Sequence, residues 1–322
     1  MTASYREINY TLRPAKSVER RMFVDLFHRL GAFEDVHNYQ YIGFGSIYFS
    51  DFLLFHRTLG FTEMISIEHA RSVTEKDRIE LNRPYGFIQT IFGESTSLLP
   101  MIDVSTKRTI AWFDYDGIFS KAALDDFFIF LSRARSGSIC IASYNIQDNL
   151  PPPGVTTGKT PEERIKDTIG ESNEVLLPQN WKTLLQGKDR ALLFASMLFN
   201  QAVEVIRKRN GEMSAEEKLF VKPIINIYYK DGAQMGSFGI VICNEKEQAQ
   251  YNAAGFESLP FHTQVDKFFE IQVPNLTFQE MRHLDRNYRS GGKSVWHPIP
   301  ETDAKKYWNL YRYFPHFVET EL

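Results

Sequence analysis

The sequence has little that would place it in a membrane or outside the cell. Its two cysteines, Cys140 and Cys243, both lie in apolar, strand-like runs. That usage is typical of reduced core residues rather than of a disulfide framework. There is no apolar run long enough to cross a bilayer, and the segment 2–10 is polar, unlike a signal peptide. These absences predict a cytoplasmic protein with no membrane partner.

The sequence also lacks a large excess of positive or negative charge and a residue pattern typical of a metal site. The net charge of −3 argues against general polyanion binding, although a local basic face could still exist. None of the eight histidines has metal-ligand spacing to a cysteine or another histidine, so no zinc site is predicted. In contrast, 43% of the residues are hydrophobic, enough for the core of one large or two modest domains.

The most informative segment is a glycine turn at the end of an apolar run, Tyr41-Ile42-Gly43-Phe44-Gly45-Ser46. Such a turn lets the backbone approach a ligand where a side chain would clash. Glu68 lies 23 residues after Gly45, near the roughly 20 typical of a nucleotide site whose carboxylate binds ribose hydroxyls. The glycines could instead form only a tight turn, and Glu68 could be a surface carboxylate.

Strands and helices alternate over the first half of the chain, which predicts a parallel sheet covered by helices on both faces. A hairpin is predicted later in the chain, after a long helix. Capping patterns at Thr160, Ser214 and Thr277 predict three helix starts, and Ser120 is predicted to cap a fourth helix. The predicted strands are 39–43, 63–68, 87–92, 109–113 and 138–143, with the hairpin at 222–229 and 237–243. The predicted helices include 17–30, 50–59, 75–82, 121–134, 188–210 and 303–313.

The sequence therefore predicts an α/β fold with a Rossmann-like sheet of five parallel strands and a C-terminal antiparallel hairpin. We divide it into an α/β domain, 1–245, whose residues 1–38 form a helical lead-in, and a small, mostly helical C-terminal extension, 246–322. The Pro-rich loop 148–159 follows the fifth strand. It could be a lid over the site or a flexible surface loop.

The combined layout resembles the class I S-adenosylmethionine-dependent methyltransferases. The stretches 41–46, 67–68, 92–94 and 113–117 fall where that family keeps its cofactor and active-site motifs. The strings RPAKSVERRM, YIGFGSIYFSDF, MISIE and WFDYDG more closely resemble a bacterial group labelled O-methyltransferases. The resemblance covers roughly residues 10–245. It implies S-adenosylmethionine as the cofactor and methyl transfer to an oxygen or nitrogen of an unidentified acceptor.

The resemblance also implies roles for individual residues. The glycine turn would line the methionine part of the cofactor, Glu68 would hold the ribose hydroxyls, and the end of the third strand would lie beside the adenine. Glu94 could instead be a simple loop acid. The residues that would bind the cofactor are Gly43, Phe44, Gly45, Ser46, Glu68, Gly93, Glu94 and Asp114.

Asp114 and Asp116, at the end of the fourth predicted strand, are the candidate catalytic residues. Ligands bind at the carboxyl ends of parallel strands, where a carboxylate could orient the acceptor or take its proton. The pair could also hold a divalent cation through oxygen ligands. The Asp-x-Asp-Gly string resembles a motif of amino-directed methyltransferases, so oxygen and nitrogen acceptors stay open. The competing interpretation is a cap on the following helix.

Two departures from the family pattern keep another function open. Tyr41 stands where the family often has an acidic residue, and Ile47 stands at the third glycine position. The alternative is a catalytically degenerate module that senses a nucleotide and acts through its C-terminal extension on a protein or nucleic acid. A nicotinamide-dependent oxidoreductase is disfavoured by the hairpin and the incomplete glycine pattern.

Two basic regions are candidate anion-binding surfaces. In the C-terminal extension, basic and aromatic residues interleave as in nucleic-acid-binding surfaces, but acidic residues dilute them and favour a packing helix. Near the N-terminus, a solvated charged face is favoured over an anion site. The C-terminal set is Arg282, Arg286, Arg289, Lys293, Lys305, Lys306 and Arg312 with Tyr288, Trp296, Tyr307, Trp308 and Tyr311. The N-terminal set is Arg13, Lys16, Arg20 and Arg21.

Overall fold

A single sheet of eight strands organises the computed structural model, which describes residues 13–147, 158–288 and 298–315. The strands are β1 (Gln40–Gly43), β2 (Glu63–Glu68), β3 (Ile88–Phe92), β4 (Thr109–Ile118), β5 (Ile139–Asn145), β6 (Leu219–Asp231), β7 (Ala233–Asn244) and β8 (Phe269–Ile271). Their order across the sheet is β3-β2-β1-β4-β5-β7-β6-β8. The first five strands are parallel, and β7 runs antiparallel to both β5 and β6. The predicted fold class is therefore confirmed.

Helices precede, connect and follow these strands. Those before the hairpin are α1 (Pro14–His28), α2 (Ser50–Leu59), α3 (Val73–Asn82), α4 (Ser95–Leu98), α5 (Lys121–Leu131), α6 (Pro161–Ile169) and α7 (Arg190–Arg209). Those after it are α8 (Gln248–Ala254), α9 (Phe278–Asn287) and α10 (Glu301–Leu310).

Several helix starts follow from local chemistry visible in the sequence. Complete capping boxes at Thr160 and Thr277 begin α6 and α9, as predicted. Helix α1 begins at Pro14, earlier than predicted, because proline fits the first helical position, where its missing N–H costs nothing. The capping pattern at Ser214 was wrong: its hydroxyl donates to Glu217 Oε2 (2.9 Å), but the segment forms only a turn. Ser120 precedes α5 without a side-chain cap bond.

Both strands of the hairpin are longer than predicted, and two other strands differ in kind. β4 does not end at Phe113 but continues to Ile118, with a shift in its pairing to β5 between Asp114 and Ile118. The segment Asp114–Gly117 is therefore an irregular extension of the strand. β8, which pairs in parallel with β6 over three residues, was missed because so short an edge strand has no periodic signal of its own.

The core lies on the two faces of the sheet. One cluster packs α1 and α2 on one face around Trp112, and the other packs α5 and α7 on the opposite face around Phe113. Phe261 and Tyr313, from the region assigned to the C-terminal extension, belong to the cluster with α1, and β8 joins the same sheet. The division at residue 245 stays a prediction.

Other expectations concern the cysteines, the membrane and the Pro-rich loop. Cys140 and Cys243 are buried and form no disulfide. Within the ranges that the structure describes, no helix is long and apolar enough to span a membrane. The Pro-rich loop lies outside the described residues, apart from its last two positions.

Candidate active site

A pocket of about 340 Å³ opens where the carboxyl ends of β1, β2, β3 and β4 meet. This edge is where ligands bind in open α/β sheets. Of the residues predicted for the site, Phe44, Gly45, Ser46, Glu68, Gly93, Glu94, Asp114 and Asp116 line this pocket, and Gly43 does not. The structure thus brings nearly the whole predicted set together. Their individual roles stay predictions.

The loop after β1 is held in a tight, strained path. Ser46 and Phe49 have positive φ values of 56° and 44°, which are uncommon for residues with a side chain. The Gly45 N–H donates to Ser66 Oγ (2.9 Å), and the Ser46 N–H donates to Glu68 Oε1 (2.9 Å). β2 therefore fixes the glycine turn through hydrogen bonds as well as through the sheet.

The two glycines also make room for protein side chains. A Cβ on Gly45 would lie 2.6 Å from a ring carbon of Phe49, and one on Gly43 would lie 2.7 Å from the Tyr41 hydroxyl oxygen. These distances are far below van der Waals contact, so both positions exclude a larger residue on packing grounds alone. The alternative interpretation, that Gly43 and Gly45 only form a tight turn, therefore explains part of the glycine motif.

Glu68 is the most constrained carboxylate of the pocket. It is 6% exposed, and its Oε1 accepts hydrogen bonds from both the Ser66 hydroxyl (2.6 Å) and the Ser46 N–H. Its Oε2 receives no hydrogen bond from the described residues. Burial raises the pKa of Glu68 to about 7, against the lowering effect of these hydrogen bonds. The interpretation of Glu68 as an ordinary surface carboxylate is therefore wrong.

Asp51, on the first turn of α2, is a pocket residue that sequence reasoning missed. The Tyr41 hydroxyl donates a short hydrogen bond to Asp51 Oδ2, and both side chains are buried. Arg20 of α1 lines the same pocket and is also buried. Burial raises the pKa of Asp51, whereas the positive charge of Arg20 lowers it. The sequence shows only that an acid lies in the first turn of the helix after the glycine turn, which by itself does not indicate a buried residue.

Asp114 is paired with a buried lysine from α1. Lys16 Nζ lies 2.6 Å from Asp114 Oδ1 and 2.7 Å from Glu19 Oε2, and it sits over the Trp112 ring, 4.5 Å from the centroid. Lys16 and Glu19 are fully buried. The predicted solvated face at the start of α1 is therefore wrong for Lys16 and Arg20, although Arg21 is exposed. Sequence reasoning failed for Lys16 because Asp114 lies 98 residues away along the chain.

Asp116 occupies a different environment from Asp114. Its side chain is exposed at the rim of the pocket, whereas that of Asp114 is half-buried. Between them, the Tyr115 hydroxyl donates to Asp126 Oδ2 (2.7 Å), a buried carboxylate of α5 that also accepts from Ser95. Burial raises the pKa of Asp126 to about 6. The two candidate catalytic acids thus flank a side chain that ties β4 to α5.

The adenine side of the predicted site is more open. Glu94 Oε1 lies 3.2 Å from His69 Nδ1, and both side chains are largely exposed. Phe44 packs against Phe113 and Tyr115, with ring centroids 5.8 Å and 5.4 Å apart. The pocket therefore has one polar, exposed wall and one aromatic wall, which suits a ligand with a flat ring and hydrogen-bonding edges.

The sequence matches, over residues 8–322, the model of a family described as "Putative O-methyltransferase". The chain belongs to this family. A search of curated proteins gave no match. The family match agrees with the expectation drawn from the motifs and extends it beyond residue 245 to the C-terminal region.

A search of solved structures gave matches at low identity and low TM-score. An O-methyltransferase from Bacillus cereus in complex with SAH shares 12% identity and a TM-score of 0.35, covering 73% of this chain and 82% of that one. Cofactor-bound Rv0187 from MTB shares 12% identity and a TM-score of 0.36, covering 69% and 79%. LepI in complex with SAM shares 8% identity and a TM-score of 0.36, covering 67% and 46%. Similarity this low carries no information on substrate or activity.

The basic and aromatic residues of the C-terminal region are largely engaged in packing and ion pairs. Tyr307 is buried in a small cluster between α9 and α10, and Tyr313 donates to Asp25 Oδ2 (2.7 Å) of α1. Lys305 and Lys306 form ion pairs with acids of their own helix. Nucleic-acid binding here stays a prediction, and Arg289, Lys293 and Trp296 lie outside the described residues. Among the residues that the structure describes, no group of three or more potential metal ligands is found.

Proposed function

We propose that this protein transfers the methyl group of S-adenosylmethionine to an oxygen or nitrogen of a small acceptor. The observation that carries the proposal is Glu68, a buried carboxylate at the end of β2 with one oxygen committed to the glycine turn and the other available. A ribose presents two adjacent hydroxyl donors, and a carboxylate at this place in the sheet is suited to accept them.

The polar atoms of the pocket fit such a ligand. Ser46 Oγ and Ser50 Oγ are buried without a hydrogen-bond partner among the described residues, although both residues line the pocket. Buried hydroxyls normally have partners, so these two favour a polar ligand in this cavity. The pocket volume also lies within the range of small-molecule sites. When bound, S-adenosylmethionine would supply the methyl group, activated by its positive sulfur.

The acceptor would bind over the end of β4. Asp114 is held by Lys16, which fixes the carboxylate in one orientation and leaves Oδ2 to accept a hydrogen bond from the acceptor. Asp116, exposed at the rim, would accept the proton that the acceptor releases, since it is open to solvent. Positioning of the two partners and exclusion of water by the aromatic wall would supply most of the catalysis.

The degenerate binding module has no specific observation in its favour. Its main argument was the missing acid at Tyr41, yet the pocket retains buried carboxylates at Glu68 and Asp51. The family match also points to a methyltransferase. The choice between oxygen and nitrogen acceptors is not decided by Asp114 and Asp116, because both would accept a hydrogen bond from a hydroxyl or an amine.

The experiment is calorimetric titration of the purified protein with S-adenosylmethionine, with NADH run alongside. We expect micromolar binding of S-adenosylmethionine and none of NADH. Glu68→Gln keeps an oxygen for the glycine turn but places an amide where the ribose hydroxyls need an acceptor. It should weaken binding about 10- to 100-fold, the cost of charge-assisted hydrogen bonds.

Glu63→Gln is the matched control. It makes the same chemical change at the other end of β2, where Glu63 is exposed and pairs with Lys107. Its affinity for S-adenosylmethionine should equal that of the wild type. No heat with S-adenosylmethionine, or equal weakening by both variants, would refute the assignment of this pocket.

A further inference from the structure

The sheet ends at two edge strands that differ in length and charge. β8 has three residues and carries Glu270, whose carboxylate pairs with Lys188 (3.2 Å). β3, at the other edge, has five residues, contains no charged residue or proline, and pairs with β2 without a bulge. Edge strands are normally shortened, charged or distorted, because their unpaired backbone groups would otherwise bind another strand. In the described part of the chain, only β8 has such protection.

Backbone hydrogen bonds show which groups of β3 face outward. The Gly93 N–H donates to the Glu68 carbonyl of β2 (3.0 Å), and the backbone groups of successive strand residues point to opposite sides. Thr90 and Phe92 therefore direct their N–H and C=O groups away from β2. No backbone partner on that side is found for either residue among those described. Backbone groups left open at a half-buried edge favour pairing with another strand.

The start of the strand is already closed. Ile88 also faces outward, but its N–H donates to the Tyr85 carbonyl (3.2 Å), and its C=O accepts from the Arg83 guanidinium (3.1 Å). The open part of the edge is therefore limited to the N–H and C=O groups of Thr90 and Phe92. A strand that pairs here needs two outward-facing residues of its own at the same spacing.

β3 of a second copy meets this requirement. In an antiparallel arrangement about a two-fold axis at Ile91, Thr90 of each copy lies opposite Phe92 of the other, and each pair exchanges two hydrogen bonds. All the open groups of both copies are then paired, and Ile91 lies opposite Ile91 in a non-hydrogen-bonded pair. An axis at Thr90 would instead place Phe92 opposite Ile88, whose groups are already bonded.

The surface beside this edge is apolar. Ile91 lines a groove of about 430 Å³ together with Phe87 and Met101. Phe87 is 38% exposed and Met101 is 76% exposed, so the groove offers apolar surface to a neighbouring molecule. Opposed residues of an antiparallel pair project from the same face of the sheet. A second copy paired in this way therefore brings its own Ile91 to the mouth of the groove.

We propose that the open edge of β3 is a dimer interface, at which two copies of this chain pair antiparallel about a two-fold axis at Ile91. The two eight-stranded sheets then form one continuous sheet. This inference does not rest on the proposed function. It does concern the pocket, because β3 leads directly into Gly93 and Glu94 of the pocket wall and is held on both sides in the dimer.

Thr90→Pro tests the interface without removing a bond to β2. Because the Thr90 N–H faces outward, proline at this edge position keeps the pairing with β2 but cannot donate to a second copy. Thr90→Val is the matched control, since it keeps the N–H and the shape of the side chain. In sedimentation velocity at micromolar concentration, the wild type and Thr90→Val should be dimers. Thr90→Pro should raise the dimer Kd about 100-fold or more, since each dimer loses two hydrogen bonds.

A cysteine substitution tests the register of the pairing. Opposed residues of a non-hydrogen-bonded pair have Cα atoms about 4.5 Å apart, within the range of a disulfide. Ile91→Cys should therefore cross-link two copies under mild oxidation, giving a dimer band on a non-reducing gel. Gln89→Cys is the control, because Gln89 is exposed on the same face but its Cα atoms in the two copies would lie about 13 Å apart. Cys140 and Cys243 are buried and should not cross-link.

Three outcomes would overturn the proposal. A monomeric wild type at the same concentration would exclude the dimer. Dimerisation of Thr90→Pro with the affinity of the wild type would place the contact on another surface. Equal cross-linking of Gln89→Cys and Ile91→Cys would contradict the register. If circular dichroism shows that Thr90→Pro does not fold, sedimentation of the wild type and the cross-linking comparison decide the question.

Discussion

Glu68 is expected to destabilise the ligand-free protein at neutral and alkaline pH. Burial raises its pKa to about 7, whereas an unfolded chain leaves a glutamate near its usual value of about 4.3. The folded state therefore holds the proton more tightly than the unfolded state does. Protonated Glu68 therefore contributes to the free energy of unfolding. This contribution is fully present below pH 4 and is lost as the pH rises through 7. Glu68→Gln removes this dependence and keeps the oxygen that accepts from Ser46 and Ser66.

The size of the effect follows from the two pKa values. Between pH 5 and pH 8, the wild type should lose about 2.5 kcal/mol of unfolding free energy that Glu68→Gln does not lose. Other titrating groups, such as Asp126, are common to both proteins and cancel in the comparison. Urea unfolding followed by circular dichroism, at both pH values and without ligand, gives this difference directly.

Glu63→Gln again serves as the control, because Glu63 is exposed and its removal should leave the pH dependence unchanged. The reasoning is refuted if the stability difference between Glu68→Gln and the wild type is the same at pH 5 and pH 8 within about 0.5 kcal/mol. That result would mean that the carboxyl group is not significantly desolvated in the folded protein.

Three further perturbations test the pocket and its supports. S-Adenosylmethionine should bind the wild type about tenfold more weakly at pH 6 than at pH 8 in calorimetry, because the ribose contact needs ionised Glu68, and Glu68→Gln should flatten this profile. Lys16→Met removes the cation that pairs with the buried Glu19 and the half-buried Asp114 and should cost about 3 kcal/mol or more in urea unfolding, whereas Arg21→Met, on the exposed face of α1, should change stability by less than about 0.5 kcal/mol. Gly45→Ala would place a Cβ 2.6 Å from a ring carbon of Phe49 and should lower the free energy of unfolding by about 1–3 kcal/mol in thermal unfolding. Gly31→Ala is the control and should be close to neutral, because a Cβ there would have nothing within 4 Å.

The parts of the fold that sequence reasoning predicted well are those with a local cause. Helix α2 and strand β2 have the predicted bounds because an apolar pattern and its end signals lie within ten residues of each other. The capping boxes at Thr160 and Thr277 were readable for the same reason. β8 was not, because three residues at a sheet edge are specified by pairing with β6, which is distant in sequence.

The same contrast between local and long-range causes holds for the residues of the site. Residues at strand ends, such as Glu68 and Asp114, could be assigned to one sheet edge because parallel topology alone brings them together. Lys16 could not, since its burial depends on Trp112 and Asp114, which only the folded sheet places over α1. Asp51 was missed because the family pattern directed attention to position 41, and an acid in the first turn of a helix does not by itself indicate burial.

Three of the carboxylates that line the pocket, Glu68, Asp51 and Asp114, are held in the same way, which explains why so many polar contacts surround it. In each, a donor fixes one oxygen: the Ser46 and Ser66 groups for Glu68, the Tyr41 hydroxyl for Asp51, and Lys16 for Asp114. The second oxygen receives no side-chain hydrogen bond from the described residues. A carboxylate held in this way has already lost its rotational freedom, so a ligand that binds the second oxygen incurs less entropy loss. The stability lost to burying these charges is then recovered as ligand affinity, which is why mutations that stabilise the empty protein at Glu68 should weaken binding.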